Sequence, residues 1–476
     1  MNSLKGVMES RNIAVIGASR DPVKLGSLLL KGMKDTEFEG QIAGVNPGGG
    51  EVYGVRLYRS LDEIPFPVDL AVMIIPPRVI PPALNDCARN GVKGVVISSE
   101  GFAETGEEGL RYQEEVRAIF RSTGMRGFGP NTMGIVNTDT GLATSYFVNK
   151  HMLRPGSIGV AAQSGIFVGA LLRYLGSCKV FRMSKVLGLG NKVDVDESDA
   201  LSYLREDEQT RIVAMYLEDI RDGKRFLKVA KEAVMQKPIL LLKGGRTSEG
   251  ARATATHTAS MAMDDRVFAG ALSQAGVLPM RSIEELMATL NGFQFNPLPQ
   301  GNRIALVTYS GAQAIMSIDA ATDRGLMLSR FSKETVDRLS RVIATPSKRQ
   351  NPVDIFPDMM AHGFEKMARE VLRALLEDGD VHGIFFISFA TPTIDPYLPL
   401  VEEIQERRSK PVFFSLLGVK EEVDMCRAFL EDNGVPFNLF PEMSVQVFSN
   451  MWRYARTVRG FPQKQGDQDQ PSQCRP

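Results

Sequence analysis

Short apolar segments alternate with longer amphipathic segments along most of the chain. The apolar segments are rich in Val, Ile and Leu, and the first of them are Ile13–Gly17, Ile42–Val45, Leu70–Ile75 and Val92–Ser98. Amphipathic stretches with the spacing of a helix, such as Glu107–Ser122, separate them. Strands that are apolar throughout and alternate with helices are typical of βαβ units, whose parallel sheets are buried on both faces. The pattern therefore predicts an α/β fold.

Proline and glycine clusters divide this pattern into three parts. Arg154-Pro155-Gly156 ends the first part, and Asn296-Pro297-Leu298-Pro299-Gln300-Gly301 is the clearest linker, because two prolines and a glycine cannot continue a helix. The last residues are rich in Gln, Pro and Asp and have almost no apolar side chain, which indicates disorder. We therefore predict a first domain over 1–150, a second over 156–295, a third over 303–460 and a disordered tail over 461–476.

The composition argues against several classes of partner. The 56 Lys and Arg residues balance the 56 Asp and Glu residues, so no net charge attracts nucleic acid or an anionic membrane. The longest apolar runs, such as Leu70–Pro77, are much shorter than the roughly 20 residues of a membrane helix. The residues before Ile13 lack the apolar core of a signal peptide, and the four cysteines are far apart without a CxxC pair. We expect a soluble cytoplasmic protein with no metal site and no nucleic-acid or membrane partner.

The second and third parts open in the same way. Each begins with a buried strand that leads through Ser-Gly into a helix of small or apolar residues, as Gln163-Ser164-Gly165 and Ser310-Gly311 do. The first backbone N–H groups of such a helix, together with its dipole, can bind an anion. A single Ser-Gly is more often an ordinary N-cap and turn. Two copies that open two successive domains predict two helix N-termini directed at one phosphate.

A glycine-rich turn follows the first predicted strand. In Gly17–Gly26 the glycines allow close approach of a phosphate, and Arg20 or Lys24 can supply charge. The spacing is neither GxGxxG nor that of a P-loop, and the second strand ends in Val45-Asn46-Pro47 rather than in an acidic residue. The turn therefore favours a nucleotide-type ligand over a nicotinamide dinucleotide, and a plain βα turn is the alternative.

A single histidine, His257, lies among small and hydroxyl-bearing residues downstream of Lys243-Gly244-Gly245. A lone histidine is usually structural, but this composition indicates a mobile loop that presents an imidazole. Histidine is a nucleophile toward phosphorus when a carboxylate fixes its tautomer. Glu218, just past the predicted strand Ile212–Tyr216, is the candidate carboxylate, since strand ends converge on the ligand edge of a parallel sheet. The alternative is that Glu218 is a solvent-facing acid in a loop.

Four acidic residues lie close together after Gly190: Asp194, Asp196, Glu197 and Asp199. Such a cluster could bind a metal ion. Acidic residues just before a helix more often cap it, and we predict that this cluster caps a helix over Ala200–Arg205.

Taken in order, eight stretches resemble the α subunit of the NDP-forming acyl-CoA synthetases (ADP-forming acetate–CoA ligases), which are relatives of succinyl-CoA synthetase. The stretches are Val15-Ile16-Gly17-Ala18-Ser19, Val45-Asn46-Pro47, Ser99-Glu100-Gly101-Phe102, Gly129-Pro130-Asn131, Gln163-Ser164-Gly165, Lys243-Gly244-Gly245-Arg246-Thr247, His257-Thr258 and Asn351-Pro352-Val353-Asp354. The resemblance extends to about residue 460. It implies an N-terminal Rossmann-like CoA-binding domain followed by two flavodoxin-like parallel-sheet domains.

The resemblance also implies a role for particular residues. His257 would carry the phosphoryl group, with Glu218 orienting its imidazole, and two helix starts would hold the phosphoryl group through Gln163, Ser164, Gly165, Ser310 and Gly311. The residues implied near coenzyme A are Gly17, Ser19, Arg20, Lys24, Asn46, Pro76, Ser98 and Glu100.

The reaction implied by the resemblance needs a second chain. Phosphate attacks acyl-CoA to give an acyl phosphate, which phosphorylates the histidine, and an ATP-grasp domain then transfers the phosphoryl group to ADP. Nothing after residue 300 looks like an ATP-grasp domain. The resemblance therefore implies an ATP-grasp β subunit in an α2β2 heterotetramer, with Mg²⁺ and ADP or ATP on that partner. The substrates would be a small carboxylic acid and its acyl-CoA.

The chain departs from the family pattern at three places. Ala259 replaces a common glycine after His257-Thr258, Gly48 replaces a lysine after Asn46-Pro47, and Thr132 replaces a frequent cysteine. An alternative interpretation is a non-catalytic CoA-binding or acyl-CoA-binding regulatory protein on the same scaffold. The two interpretations differ in whether His257 accepts a phosphoryl group.

Overall fold

A computed structural model describes residues 4–145, 148, 154–178, 180–258, 265–356, 358–359 and 363–460, and for 255–258 it describes the backbone alone. The predicted tail over 461–476 lies outside the described residues. The chain divides after Arg281 into two compact units, and each is described here by itself.

The first sheet of the first unit has seven strands. They are β1 (Asn12–Ile16), β2 (Gln41–Val45), β3 (Gly50–Val52), β4 (Val55–Tyr58), β5 (Leu70–Met73), β6 (Gly94–Ile97) and β7 (Arg126–Phe128). The helices of this part are α1 (Leu4–Met8), α2 (Leu25–Asp35), α3 (Ile80–Arg89) and α4 (Glu107–Thr123), with 3-10 turns at Leu61–Glu63, Pro77–Val79 and Ala103–Thr105. The order β3-β4-β2-β1-β5-β6-β7 is parallel except for the hairpin β3–β4. Without β3 it is the order of a Rossmann sheet.

The second sheet also has seven strands. They are β8 (Ile135–Asn137), β9 (Leu142–Ala143), β10 (Pro155–Ala162), β11 (Met183–Gly188), β12 (Ile212–Leu217), β13 (Ile239–Lys243) and β14 (Leu278–Met280). A 3-10 turn at Gly165–Phe167 precedes the helices α5 (Ala170–Ser177), α6 (Glu197–Glu206), α7 (Gly223–Val234), α8 (Ser248–Thr258) and α9 (Asp265–Gln274). The parallel order β11-β10-β12-β13-β14 is that of flavodoxin. The hairpin β8–β9, which the sequence did not predict, extends it antiparallel to β11.

The second unit contains a third sheet of five strands. Its elements are α10 (Ile283–Phe295), β15 (Arg303–Thr308), α11 (Gly311–Thr322), β16 (Met327–Leu328), α12 (Lys333–Leu339), β17 (Val353–Asp354), α13 (Phe364–Glu377), β18 (Gly383–Phe389), α14 (Leu398–Arg407), β19 (Val412–Leu417), α15 (Lys420–Asp432) and α16 (Pro441–Val458), with 3-10 turns at Pro346–Arg349 and Asp395–Tyr397. The order is β16-β15-β18-β19, with β17 paired to β15, and all pairs are parallel.

Parallel strands that alternate with helices confirm the predicted α/β class, and several strands are buried along their whole length. Every residue of β5, β6 and β11 is buried. In the third sheet Phe385 stacks on Phe413 at 5.4 Å between ring centroids, and the adjacent Phe386 stacks on Phe414 at 5.1 Å. Because successive strand residues point to opposite faces, these two aromatic pairs cover both sides of the sheet.

Helix α10 belongs to the second unit, whereas the sequence assigned it to the second domain. Asn450 of α16 donates hydrogen bonds to Glu285 Oε1 at 3.0 Å and to Thr289 Oγ1 at 3.1 Å on α10. The bounds of the three domains stay a prediction. No described helix combines the length and apolar character that crossing a membrane requires.

Candidate functional site

The turn between β1 and α2 requires glycine at two positions. Gly17 has a φ of +99°, and a Cβ atom there would lie 2.1 Å from the carbonyl oxygen of Ile74. A Cβ atom at Gly26 would lie 2.4 Å from the carbonyl oxygen of Gly17. The start of α2 therefore packs closely against the end of β1. The N-terminus of α2 lies at the carboxyl edge of the first sheet as a result. Such an edge favours an anionic ligand.

Asn46 and Ser27 fix the shape of this edge. Asn46 Nδ2 donates to the carbonyl oxygen of Ala18 at 2.7 Å, and its Oδ1 accepts the N–H of Gly48 at 2.8 Å. Ser27 Oγ donates to the carbonyl oxygen of Ser19 at 2.7 Å and accepts its N–H at 3.2 Å. Asn46 therefore uses its oxygen and its nitrogen to join the turns that follow β1 and β2.

Two exposed cations flank the same edge. The side chain of Arg20 lies against Gly48–Gly50, since a Cβ atom at Gly50 would lie 2.7 Å from Arg20 Cδ and one at Gly48 would lie 3.2 Å from its Nη2. Lys24 immediately precedes α2 and is also exposed. Arg20 thus occupies the space beside Gly48 and Gly50.

Three of the residues predicted to lie near coenzyme A follow the ends of β5 and β6: Pro76, Ser98 and Glu100. Pro76 precedes the 3-10 turn Pro77–Val79, and Glu100 is exposed. Ser98 Oγ is buried and finds no hydrogen-bond partner among the described residues. The neighbouring Ser99 Oγ, in contrast, donates to the carbonyl oxygen of Ile75 at 2.7 Å. Of these two serine hydroxyls, that of Ser98 is therefore the one available to hydrogen-bond to a ligand.

Glu104 and Asn191 are two residues of this region that sequence reasoning missed. Glu104 Oε1 accepts the N–H groups of Gly101 at 2.8 Å and Phe102 at 3.0 Å, and its Oε2 accepts from Asn191 Nδ2 at 2.7 Å. Burial raises the pKa of Glu104, but these hydrogen bonds outweigh it and lower the pKa overall. The pair joins the carboxyl edge of the first sheet to the loop after β11. The only feature of the sequence that could have indicated this pair is the glycine-rich stretch Gly188-Leu189-Gly190-Asn191.

Gln163, at the end of β10, binds the loop that follows β12. Its Oε1 accepts the N–H of Glu218 at 2.9 Å and that of Asp219 at 3.3 Å, and its Nε2 donates to Asp219 Oδ1 at 2.7 Å. Ser164 precedes the 3-10 turn Gly165–Phe167, and α5 begins only at Ala170, so the Ser-Gly pair does not lead directly into the helix as predicted. The structure thus brings Gln163 and Glu218 together.

Both Ser-Gly junctions differ from an ordinary serine cap. In the described structure neither the Ser164 nor the Ser310 hydroxyl hydrogen-bonds to the first turn that follows it. In the second unit α11 begins at Gly311, and Gly311 and Ala312 are exposed. The first backbone amides of α11 therefore lie at the surface of their unit. The convergence of the two helix starts on one phosphate stays a prediction.

Glu218 is half-buried and bonded, which argues against the solvent-facing alternative. The Tyr216 hydroxyl donates to Glu218 Oε1 at 3.2 Å, and the Tyr216 ring stacks on Phe167 at 4.4 Å between centroids. Burial, with the Glu218 charge as a second cause, raises the pKa of Tyr216 to about 12. The phenol therefore stays neutral and remains a hydrogen-bond donor at physiological pH.

Gly244, at the end of β13, allows the close approach to this pair. A Cβ atom at Gly244 would lie 2.6 Å from Tyr216 Oη and 3.2 Å from Glu218 Cγ. Lys243 Nζ donates to the carbonyl oxygens of Gly244 at 3.2 Å and Gly245 at 3.1 Å. The lysine therefore stabilises the turn through which the chain enters α8.

The prediction of a mobile loop around His257 was wrong for the described backbone. Residues Ser248–Thr258 form α8, because alanines with high helix propensity recur through it and Thr247 Oγ1 accepts the N–H of Gly250 at 3.1 Å. The side chain of His257 lies outside the described residues, as do Ala259 and Ser260. Helix α8 contacts the 3-10 turn Ala103–Thr105, which follows the predicted CoA edge.

The acidic cluster caps a helix, as predicted, although α6 begins at Glu197 and not at Ala200. Asp196 Oδ1 accepts the N–H groups of Ser198 and Asp199, and the Asp199 side chain accepts the N–H of Asp196 in return. In the part of the chain that the structure describes, no three His, Cys, Asp or Glu residues are grouped so that they could hold a metal ion.

Comparison with known proteins identifies the family. The chain matches the model of a CoA binding domain over 11–138 and that of a succinyl-CoA ligase like flavodoxin domain over 155–293. It is 34% identical over 458 residues to the acetate–CoA ligase [ADP-forming] II subunit alpha of Pyrococcus furiosus, covering 94% of this chain and 97% of that one. The chain belongs to the family of ADP-forming acetate–CoA ligases. The resemblance and the ligase class inferred from the sequence are thereby confirmed.

Two further members of the ADP-forming acetate–CoA ligase family extend the comparison. An acetate–CoA ligase [ADP-forming] II of Archaeoglobus fulgidus is 35% identical over 454 residues, which cover 95% of this chain and 67% of that enzyme. The structure of an acetyl-coenzyme A synthetase from Ca. Korarchaeum cryptofilum in complex with phosphate and ADP superimposes with a TM-score of 0.89 at 29% identity, covering 98% of this chain and all of that one. The predicted arrangement of a CoA-binding domain and flavodoxin-like domains is confirmed.

Proposed function

We propose that this chain is the CoA-binding, phosphohistidine-carrying subunit of an ADP-forming acyl-CoA synthetase. The reaction is acyl-CoA + ADP + phosphate ⇌ carboxylic acid + CoA + ATP, through an acyl phosphate and phospho-His257. The observation that carries the proposal is the bonded set of Gln163, Tyr216 and Glu218 at one sheet edge. This set of residues lies beside the turn that leads into α8, the helix that carries His257. Helix α8 also contacts the 3-10 turn Ala103–Thr105, which follows the predicted CoA-binding edge of the first sheet.

Coenzyme A binds at the carboxyl edge of the first sheet. Its anionic groups interact with the N-terminus of α2 and with Arg20 and Lys24, because oriented amides and cations both favour phosphate. Ser98 Oγ, which is buried and has no described partner, supplies a hydrogen bond to the ligand. Gly17, Ser19, Asn46, Pro76 and Glu100 shape or line this edge.

The phosphoryl group moves through His257. A phosphate oxygen attacks the thioester carbonyl carbon and CoA leaves as its thiolate, which gives the acyl phosphate. An imidazole nitrogen of His257 then attacks phosphorus and the carboxylate leaves. Glu218 accepts the N–H of the other imidazole nitrogen, so the attacking nitrogen carries a lone pair. The backbone amides at Gln163–Gly165 and Ser310–Gly311 stabilise the charge on the phosphoryl oxygens.

A partner chain completes the reaction. The chain covers 97% of a relative that is itself named a subunit alpha, but only 67% of the longer Archaeoglobus enzyme. We infer an ATP-grasp β subunit in an α2β2 assembly that binds Mg²⁺ with ADP or ATP. Mg²⁺ there neutralises the charge of the nucleotide phosphates. The acid is a small carboxylic acid, since acetate is the acid that both relatives' names give.

Reconstitution tests this proposal. The chain is purified with an ATP-grasp subunit, and acyl-CoA formation from acetate, CoA and ATP is measured for the wild type and for His257→Ala. We expect turnover by the wild type, and loss of it in the variant with unchanged CoA affinity. Full activity of His257→Ala contradicts the proposal. CoA binding without any turnover would identify a CoA-binding regulatory protein instead.

A further inference from the structure

A lysine with no role in the reaction above is buried beside the loop that carries Glu218. Lys192 is 1% exposed and follows the end of β11. Its Nζ lies 2.9 Å from Glu197 Oε2, 2.7 Å from Asp219 Oδ1 and 2.9 Å from the carbonyl oxygen of Asp219. An ammonium group has three donors, and these three contacts use all of them.

The contacts of Lys192 continue to Glu218. Asp219 Oδ1, which Lys192 binds, also accepts from Gln163 Nε2 at 2.7 Å. Because a carboxylate can only accept, it fixes which end of the Gln163 amide faces it. The other end, Oε1, is thereby turned toward the backbone N–H of Glu218 at 2.9 Å.

A second contact holds the far side of the same loop. Glu197 is fully buried, and its Oε1 accepts the N–H of Arg221 at 2.8 Å. Lys192 therefore binds the loop over 218–221 directly at Asp219 and indirectly at both of its ends. A buried ion pair adds little net stability over well-packed apolar side chains, because desolvation offsets the attraction. Stability alone does not account for a charge at this position.

We propose that Lys192 is a positioning residue for phosphoryl transfer, acting through Asp219 and Gln163 to hold Glu218 in the orientation that His257 requires. This inference rests on the proposed function. Protein groups use all three donors of Lys192, so we expect its removal to change the rate of transfer and not the affinity for coenzyme A.

Lys185 provides a matched control. It is 3% exposed, lies in β11 of the same sheet and pairs with Asp207 at 3.5 Å and Asp139 at 3.4 Å. Its described contacts include neither Gln163 nor the loop over 218–221. A loss that comes only from removing a buried ammonium group and its ion pairs should therefore appear in Lys185→Met as well as in Lys192→Met.

The experiment compares Lys192→Met, Lys192→Arg and Lys185→Met in the complex with the ATP-grasp subunit. The rate of phosphorylation by labelled ATP, the Kd for coenzyme A and the Tm are measured for each. We expect Lys192→Met to slow phosphorylation at least about tenfold, as for a broken buried network, with an unchanged Kd. Lys192→Arg should recover part of the rate, and Lys185→Met should lower the Tm while its rate stays within about twofold of the wild type.

Equal rates for Lys192→Met and Lys185→Met overturn the inference. If Lys192→Met does not fold, Asp219→Ala removes the same link while Lys192 keeps its contact with the backbone carbonyl of residue 219. A wild-type rate for that variant equally contradicts the inference. A crystal structure of the variant separates this inference from the proposed function. If the Gln163 amide and the loop over 218–221 are unchanged in the variant, the positioning role is refuted. If the wild type accepts no phosphate, the phosphohistidine proposal is refuted instead.

Discussion

The hydroxyl of Tyr216 donates a hydrogen bond to the carboxylate of Glu218 at 3.2 Å. The two residues are neighbours across the end of β12, and the stacked ring of Phe167 shields the phenol from one side. A neutral donor on one carboxylate oxygen limits the directions in which Glu218 can accept a second hydrogen bond. This restraint is useful if Glu218 must hold one tautomer of an imidazole.

The first prediction concerns the charge of Glu218. Glu218→Gln keeps the shape of the side chain but replaces an acceptor by a group that can also donate, so the tautomer of His257 is no longer fixed. We expect phosphorylation of the chain to slow about a hundredfold, the usual contribution of a positioned acid–base group. Single-turnover labelling measures this rate. The control is Glu232→Gln, which removes an exposed carboxylate that pairs with Arg205; an equal loss there would contradict the assigned role.

The second prediction uses the close approach of Gly244. Gly244→Ala places a methyl group 2.6 Å from Tyr216 Oη and must move the phenol away from Glu218. We expect slower phosphorylation with unchanged CoA affinity. Gly223→Ala is the matched control, since a Cβ atom there meets nothing within 4 Å. Wild-type phosphorylation by Gly244→Ala would show that the contact between Tyr216 and Glu218 is dispensable.

The third prediction is a dependence of stability on pH. The pKa of Tyr216 is raised from 10.0 to about 12, so the folded protein holds this proton more tightly than the unfolded chain does. The stability from the neutral phenol is therefore fully present below pH 10 and is lost as the pH rises toward about 12. In Tyr216→Phe the free energy of unfolding should fall less steeply over this interval. Urea unfolding at several pH values measures it, and identical slopes for wild type and variant would refute the raised pKa.

The fourth prediction concerns the CoA edge. Gly50 has a φ of +118°, and Gly50→Ala places a methyl group 2.7 Å from Arg20 Cδ. Because Arg20 must then move from the edge, we expect weaker binding of coenzyme A by about tenfold, the value of one charge-assisted contact. Gly91→Ala is the control, since its φ of +70° is also positive but nothing lies within 4 Å of the added methyl. Isothermal titration calorimetry should show a weaker Kd for the first variant alone.

The sequence predicts the α/β class and many of its strands, for a physical reason. Strands buried on both faces are usually apolar throughout, so β5 and β6 stand out in the chain, whereas β11, which contains Ser184 and Lys185, does not. The hydrogen bonds between residues at the ends of neighbouring strands cannot be recognised from the sequence in the same way. Nothing in the spacing of Gln163, Asn191 and Glu218 indicates which side chain meets which, because parallel neighbours are joined only in the folded sheet.

Two misses have different causes. The hairpin β8–β9 is formed by strands of three and two residues, which are too short to produce a periodic pattern. The glycine and hydroxyl residues of α8 are typical of loops, and they predict a loop there. The recurring alanines of that segment, which favour a helix, outweighed them.

Phosphorylation of His257 tests the central claim most directly. The chain is incubated with an ATP-grasp subunit, Mg²⁺ and ATP labelled in its γ-phosphate, and the label is followed through acid and base. We predict a base-stable, acid-labile label on His257 that disappears in His257→Ala and on addition of ADP. A label that persists in His257→Ala, or no label when the ATP-grasp subunit demonstrably binds both ATP and this chain, would contradict the account.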